Sequence, residues 1–159
     1  MALSKRLASL SSSSITSLLR VISPHWSQRW QGTFFTMRMQ CSSSIMWVVV
    51  LFSKFPLQKK QVILVDHNEK SQAVDNINEA EILEIIDHHR IGSLETISPV
   101  YFRNQPLGCT STIIYQMFRE KETEIPTDIA GLLCAAILSD TLMFRSPTCT
   151  TVDETAARE

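Results

Sequence analysis

Two short apolar runs, each closed by an Asp-His pair, constrain this chain more than any other feature. Val62, Ile63, Leu64 and Val65 lead straight into Asp66-His67-Asn68-Glu69. Ile82, Leu83, Ile85 and Ile86 lead into Asp87-His88-His89. β-branched residues dominate both runs, which therefore read as short buried strands. A carboxylate and imidazoles at the exit of a buried strand must be paired, hydrogen-bonded or bound to a metal. The gap between the runs fits the crossover of about a dozen residues that parallel strands require. The pattern predicts a βαβ unit, hence an α/β fold with a parallel sheet and flanking helices. It brings both Asp-His pairs to one edge of that sheet.

The remaining elements follow from punctuation. Residues 70–80 read as a short helix or looped crossover, and Val100-Tyr101-Phe102 as another extended piece. Pro106 and Gly108 precede Thr110-Ser111-Thr112, which opens a helix through about Arg119 with Thr110 or Ser111 as its N-cap. Pro126-Thr127-Asp128 introduces a second helix. Its apolar face is Ile129, Leu132, Leu133, Ala136 and Ile137, and it ends near Ser139-Asp140. Arg145-Ser146-Pro147-Thr148 is a loop, and residues 152–159 begin a further helix.

Charge divides the chain at Asp66. Residues 1–65 hold Lys5, Arg6, Arg20, Arg29, Arg38, Lys54, Lys59 and Lys60 and no acid. All 16 acidic residues lie from Asp66 onward, so the net −1 averages a strongly basic and a strongly acidic part. Residues 1–60 form a basic segment whose Ser, Arg and Leu content matches an organellar transit peptide. The alternative is a non-native stretch, which the apolar run at 45–52 before Pro56 and Lys59-Lys60 favours. That run falls short of the ~20 residues that cross a bilayer. Cys41, Cys109, Cys134 and Cys149 have no CxxC spacing, and Cys134 is expected to pack as a small hydrophobe.

In open parallel α/β sheets ligands bind beyond the carboxyl ends of the strands, where Asp66, His67, Asp87, His88 and His89 all fall. Oxygen and imidazole donors without thiolates suit Mn, Mg or Fe. Asp140 ends the apolar helix, where a carboxylate faces the negative end of the dipole and gains from a counter-cation. Singly, each has a plainer reading. An Asp-His pair is ordinarily a turn or cap, Asp140 a loop acid, Arg145 a solvated cation, and Gly108-Cys109-Thr110-Ser111 a helix cap rather than a phosphate cradle. The joint pattern favours a site. His25 has no acidic partner near it in sequence.

These residues carry a resemblance. Val65-Asp66-His67-Asn68-Glu69, Ile86-Asp87-His88-His89-Arg90-Ile91, Gly108-Cys109-Thr110, and Ser139-Asp140 with Phe144-Arg145-Ser146-Pro147-Thr148 resemble the family II, manganese-dependent inorganic pyrophosphatases of the DHH phosphoesterase superfamily. The resemblance covers residues 61–159. Asp-His-His alone marks the superfamily, whereas Asp-His-Asn-Glu and the Ser-Pro-Thr loop mark the pyrophosphatase branch. It implies that Asp66 bridges two Mn2+ ions, with Mg2+ able to join the substrate, and that His88 and Asp140 are metal ligands. His89 would contact the substrate phosphate and act as a proton donor to the leaving group. Asp87 would orient an imidazole, with His67, Asn68 and Arg90 in support. The implied reaction is two-metal hydrolysis of inorganic diphosphate.

The family pattern also includes a His-x-x-x-Asp-x-Asp strand end, which has no counterpart before Gln61, and a C-terminal domain with an Arg-Lys-Lys cluster. The expectation is therefore a DHH-type domain over 61–159, incomplete at both ends, with impaired hydrolysis. The partner is inorganic diphosphate, with no nucleic acid and no membrane, and the sequence leaves the oligomeric state open, a homo-oligomer included. The location is cytoplasmic, or mitochondrial or plastid if residues 1–60 are a transit peptide. One rival is another DHH phosphoesterase acting on polyphosphate or short oligonucleotides, although an acidic region with few aromatics lacks a nuclease's stacking track. The other is a non-catalytic metal-binding fragment. A third outcome is that no stable protein forms, because loss of the first strand would leave an open sheet edge beside residues 61–65.

Overall fold

A computed structural model describes residues 34–41, 44–49, 61–73 and 76–159. His25, Pro56, Lys59, Lys60 and most of the basic leader-like segment lie outside the described residues. Five strands form one sheet: β1 (Phe34–Cys41), β2 (Ser44–Val49), β3 (Gln61–Val65), β4 (Glu81–Asp87) and β5 (Tyr101–Asn104). Their spatial order is β2-β1-β3-β4-β5. β1 and β2 pair antiparallel, whereas β1–β3, β3–β4 and β4–β5 pair parallel. Three helices follow: α1 (Thr110–Glu120), α2 (Thr127–Asp140) and α3 (Thr151–Arg158). The α/β reading therefore holds. Among the described residues no helix is long and apolar enough to cross a membrane.

One feature departs from expectation: the edge beside β3 is covered, because Phe34–Met37 of β1 run alongside Val62–Val65. The described part of the crossover between β3 and β4 takes the looped form, with 3-10 turns at Lys70–Gln72 and Ile77–Glu79 and no α-helix. Ser71, Asn76 and Asn78 are poor helix formers, and Asn76 sits at φ 64°, where a helix cannot continue.

The strand side chains alternate between two apolar layers, as the period of two demands. Ile63, Val65 and Ile86 join Ile113, Ile114, Met117 and Phe118 of α1 and Ile129 and Leu133 of α2 in the larger layer. Val62, Leu64, Ile77 and Ile85 form a smaller layer on the opposite face. Ile129, Leu133, Ala136 and Ile137 are the buried face of α2, as its sequence indicates, with Leu132 only half-buried. Cys134 is likewise half-buried and donates weakly to the Ala157 carbonyl.

α3 opens on a capping box in which Thr150 and Asp153 satisfy each other's backbone N–H groups. Asp153 also reaches α1, accepting from Thr112 Oγ1 at 2.6 Å and from Gly108 N at 2.9 Å. Phe118 has no exposed surface and sits between sheet and helices. Phe118→Ala is expected to cost about 3–5 kcal/mol, read as a lower urea midpoint at unchanged m value. A loss under about 1 kcal/mol would contradict its central position.

Candidate metal centre

The parallel register of β3 and β4 sets Val65 beside Ile86, so both Asp-His pairs leave the sheet at the same edge. Asp66 N donates to the Ile86 carbonyl at 2.9 Å, tying the two exits together. At Asp66 the backbone turns into the left-handed region (φ 69°), which aspartate tolerates better than most residues. Among the described residues, one group of donors gathers closely enough to hold a metal ion. Its members are Asp66, His88 and His89, whose ligand atoms lie within 4.8 Å of one another. Asp140 is outside that group, but it lies near enough for its charge to act on both Asp66 and His88.

The contact between Asp66 and His88 has an unusual polarity. His88 Nδ1 lies 2.9 Å from the Leu107 carbonyl oxygen, which can only accept, so Nδ1 carries the proton. The opposite nitrogen, Nε2, then presents a lone pair to Asp66 Oδ1 at 3.4 Å. Burial lowers the pKa of His88, which keeps the ring neutral. Two electron-rich atoms facing each other need a cation or a proton between them. Asp66 shows the consequence: burial foremost, with Asp140 and Asp87 adding to it, pushes its carboxyl up to about 7 despite the Thr110 hydroxyl that donates to it at 2.7 Å. That donor set, one carboxylate and one oriented imidazole with a second imidazole and a second carboxylate nearby, fits a divalent cation that accepts O and N ligands.

Asp87 has no exposed surface and serves from within. Its Oδ1 accepts from His88 N at 2.8 Å, His89 N at 3.2 Å and His89 Nδ1 at 2.7 Å, and Asn68 bonds its other oxygen. Burial opposes ionisation here too, yet the bonds from His89 and Asn68 hold the carboxyl below its usual range. Asn68 also donates to the Arg90 carbonyl and accepts from Gly92 N, so it clasps the loop after the triplet. The Arg90 guanidinium is largely exposed and pairs with Glu69. His67 is buried, with Nδ1 on the Val65 carbonyl at 3.0 Å.

Three parts of this arrangement escape a sequence reading. The N-cap of α1 is Cys109, whose sulfur accepts from Ser111 N, because the Thr110 hydroxyl is committed to Asp66. The Gly108-Cys109-Thr110-Ser111 stretch thus acts as a cap, as its plainer reading had it. The Leu107 carbonyl that orients His88 is a backbone atom and leaves no trace in residue type. After Asp140 the chain makes a left-handed turn over Leu142, Met143 and Phe144 (φ 50°, 56° and 64°), none of them glycine. It is pinned by Met143 N to Leu138 O at 2.8 Å, Ser146 N to Thr141 O at 2.8 Å and Phe144 N to Thr141 Oγ1 at 3.2 Å. Arg145 bonds the Leu142 carbonyl within this turn.

Comparison with known proteins converges on one family. The model of the DHH family, N-terminal domain, matches residues 4–137. The manganese-dependent inorganic pyrophosphatase of Bacillus subtilis is 53% identical over 98 residues, covering 62% of this chain and 32% of that protein. A protein of Shouchella clausii assigned as a manganese-dependent inorganic pyrophosphatase is 50% identical over 109 residues, or 69% of this chain and 35% of its own. A crystal structure from Methanococcus jannaschii, of a protein assigned to the family II inorganic pyrophosphatases, superposes with a TM-score of 0.60. It is 41% identical and covers 64% of this chain and 36% of that one. The chain spans about a third of the length of the curated relatives it matches.

The raised Asp66 carboxyl gives a signed pH effect. Folded Asp66 binds a proton more tightly than the unfolded chain does, so it lowers metal-free stability as pH rises from about 4 through about 7. Thermal unfolding in chelator should show that decline. Asp66→Asn should remove it and leave the variant about 2–4 kcal/mol more stable than wild type at pH 8. A flat wild-type profile would contradict the burial of this charge.

Proposed function

This chain belongs to the DHH family, and from that premise we propose that it is the metal-binding portion of a manganese-dependent inorganic diphosphatase. The observation that carries this reading is the opposed Asp66–His88 pair at the carboxyl edge of the sheet. The names of its relatives supply the substrate and the metal. In this reading Asp66, His88 and Asp140 would hold Mn2+, and His89 would bind the substrate. Bound cations would supply charge neutralisation and a water activated at neutral pH.

The protein's own contributions follow from its hydrogen bonds. The Leu107 carbonyl keeps the proton of His88 on Nδ1, so Nε2 stays free of hydrogen and able to ligate. The bond from Thr110 steadies Asp66 in its ionised form. Asp87 accepts from His89 Nδ1–H and so fixes the ring, leaving Nε2 to meet a diphosphate oxygen, to which the protonated ring would donate. His89 is about half exposed, where a substrate can reach it. All carboxylates of residues 1–159 lie from Asp66 onward, so in this reading the acidic ligands of this chain come from that part.

Hydrolysis of diphosphate and polyphosphate, read as phosphate release, and of a dinucleotide, read as mononucleotide formation, in Mn2+ buffer tests the reading. Release should be confined to diphosphate and fall about 100-fold or more in His88→Ala. Dinucleotide cleavage that outpaces diphosphate would favour a sister DHH activity. Phosphate release indifferent to His88→Ala would sink the proposed site.

A further inference from the structure

Two of the candidate ligands are reached from one short turn, residues 107–110: the Leu107 carbonyl orients His88 and the Thr110 hydroxyl donates to Asp66. Neither contact is strong enough alone to fix the turn, whose position must come from behind. Behind it stands Asp153, fully buried, with one oxygen on Thr112 Oγ1 and the other on Gly108 N, Thr150 N and Thr150 Oγ1. The approach at Gly108 is close. A Cβ there would meet Thr141 Cγ2 at 2.8 Å and Asp153 Oδ2 at 2.9 Å, so the turn is clamped between α3 and the residue after Asp140.

We propose that Asp153 is a positioning residue for the metal centre, holding the 107–110 turn so that Leu107 and Thr110 aim His88 and Asp66 at one another. This rests on the metal-binding reading given above. A carboxylate suits the task because one residue with two acceptor oxygens satisfies donors from α1, its preceding turn and the α3 cap together. The alternative is local: Asp153 caps α3 and does nothing more. The two differ in what Thr150 should do, since Thr150 shares the cap but does not touch the turn.

Mn2+ titration calorimetry, with 15N NMR of the histidine rings in the metal-free chain, separates them on Asp153→Ala, Thr112→Val and Thr150→Ala. Asp153→Ala is expected to weaken Mn2+ binding about tenfold or more. It should also move the His88 ring nitrogens toward a mixture of tautomers. Thr112→Val leaves the capping box intact and should shift both readouts in the same direction, by less. Thr150→Ala should lower Tm and leave both at wild-type values. If Asp153→Ala does not fold, Thr112→Val against Thr150→Ala decides the matter. Variants at 153 and 112 that lose only Tm, as Thr150→Ala does, would overturn the proposal. A wild-type chain that binds no Mn2+ would overturn the functional reading instead, and Asp153 would then be judged on the His88 resonances alone.

Discussion

The 3.4 Å approach of Asp66 Oδ1 to a deprotonated His88 Nε2 governs the rest of this structure. In water the two groups would be solvated separately. Here burial removes the solvent, and the Leu107 carbonyl denies His88 the tautomer that could donate to the carboxylate. Something positive has to sit between them. A proton on Asp66 serves below about pH 7, and above it a divalent cation would resolve the same conflict without changing the side chains. In the proposed site, metal and proton would compete for one position, which would link the stability of the fold to the chemistry of the site.

Holding such a pair together requires support that does not relax. Part of it comes from the sheet, whose parallel register brings both strand exits to one edge and allows Asp66 N to bond across to Ile86. Asp87 supplies another part, folding the backbone of the triplet onto its own carboxylate, with the His88 and His89 rings 4.1 Å apart between centroids. The turn at 107–110 supplies the third, and it is anchored in turn by Asp153. Left-handed backbone at Asp66 and across Leu142–Phe144 lies at the two chain segments that carry the candidate carboxylates. Strain of about 1 kcal/mol or more per such residue persists only where surrounding bonds over-determine it, as the Thr141 contacts do here.

Much of this was legible in the residues themselves. The β-branched runs before Asp66 and Asp87 marked adjacent parallel strands, because burial on both faces leaves an unbroken apolar signature. Proline, glycine and threonine marked the ends of α1 and α2 to within a residue or two. Other features had no local signal. The pairing of Phe34–Met37 with β3 is a tertiary event, set in a segment whose basic composition pointed elsewhere. The Cys109 cap depended on Thr110 being drawn to Asp66, 44 residues away. The links from Asp153 to Gly108 and Thr112 span 45 and 41 residues, and sequence shows only the local capping box with Thr150.

The central claim is that Asp66 and His88 share one cation, with His88 giving its Nε2 lone pair. Pulsed EPR of the Mn2+-loaded chain reads that bond directly as a coupling between the electron spin and an imidazole nitrogen. The account requires this coupling in the wild type and its loss, or a clear weakening, in His88→Ala. Mn2+ surrounded by oxygen alone, or a nitrogen coupling unchanged in His88→Ala, would contradict it.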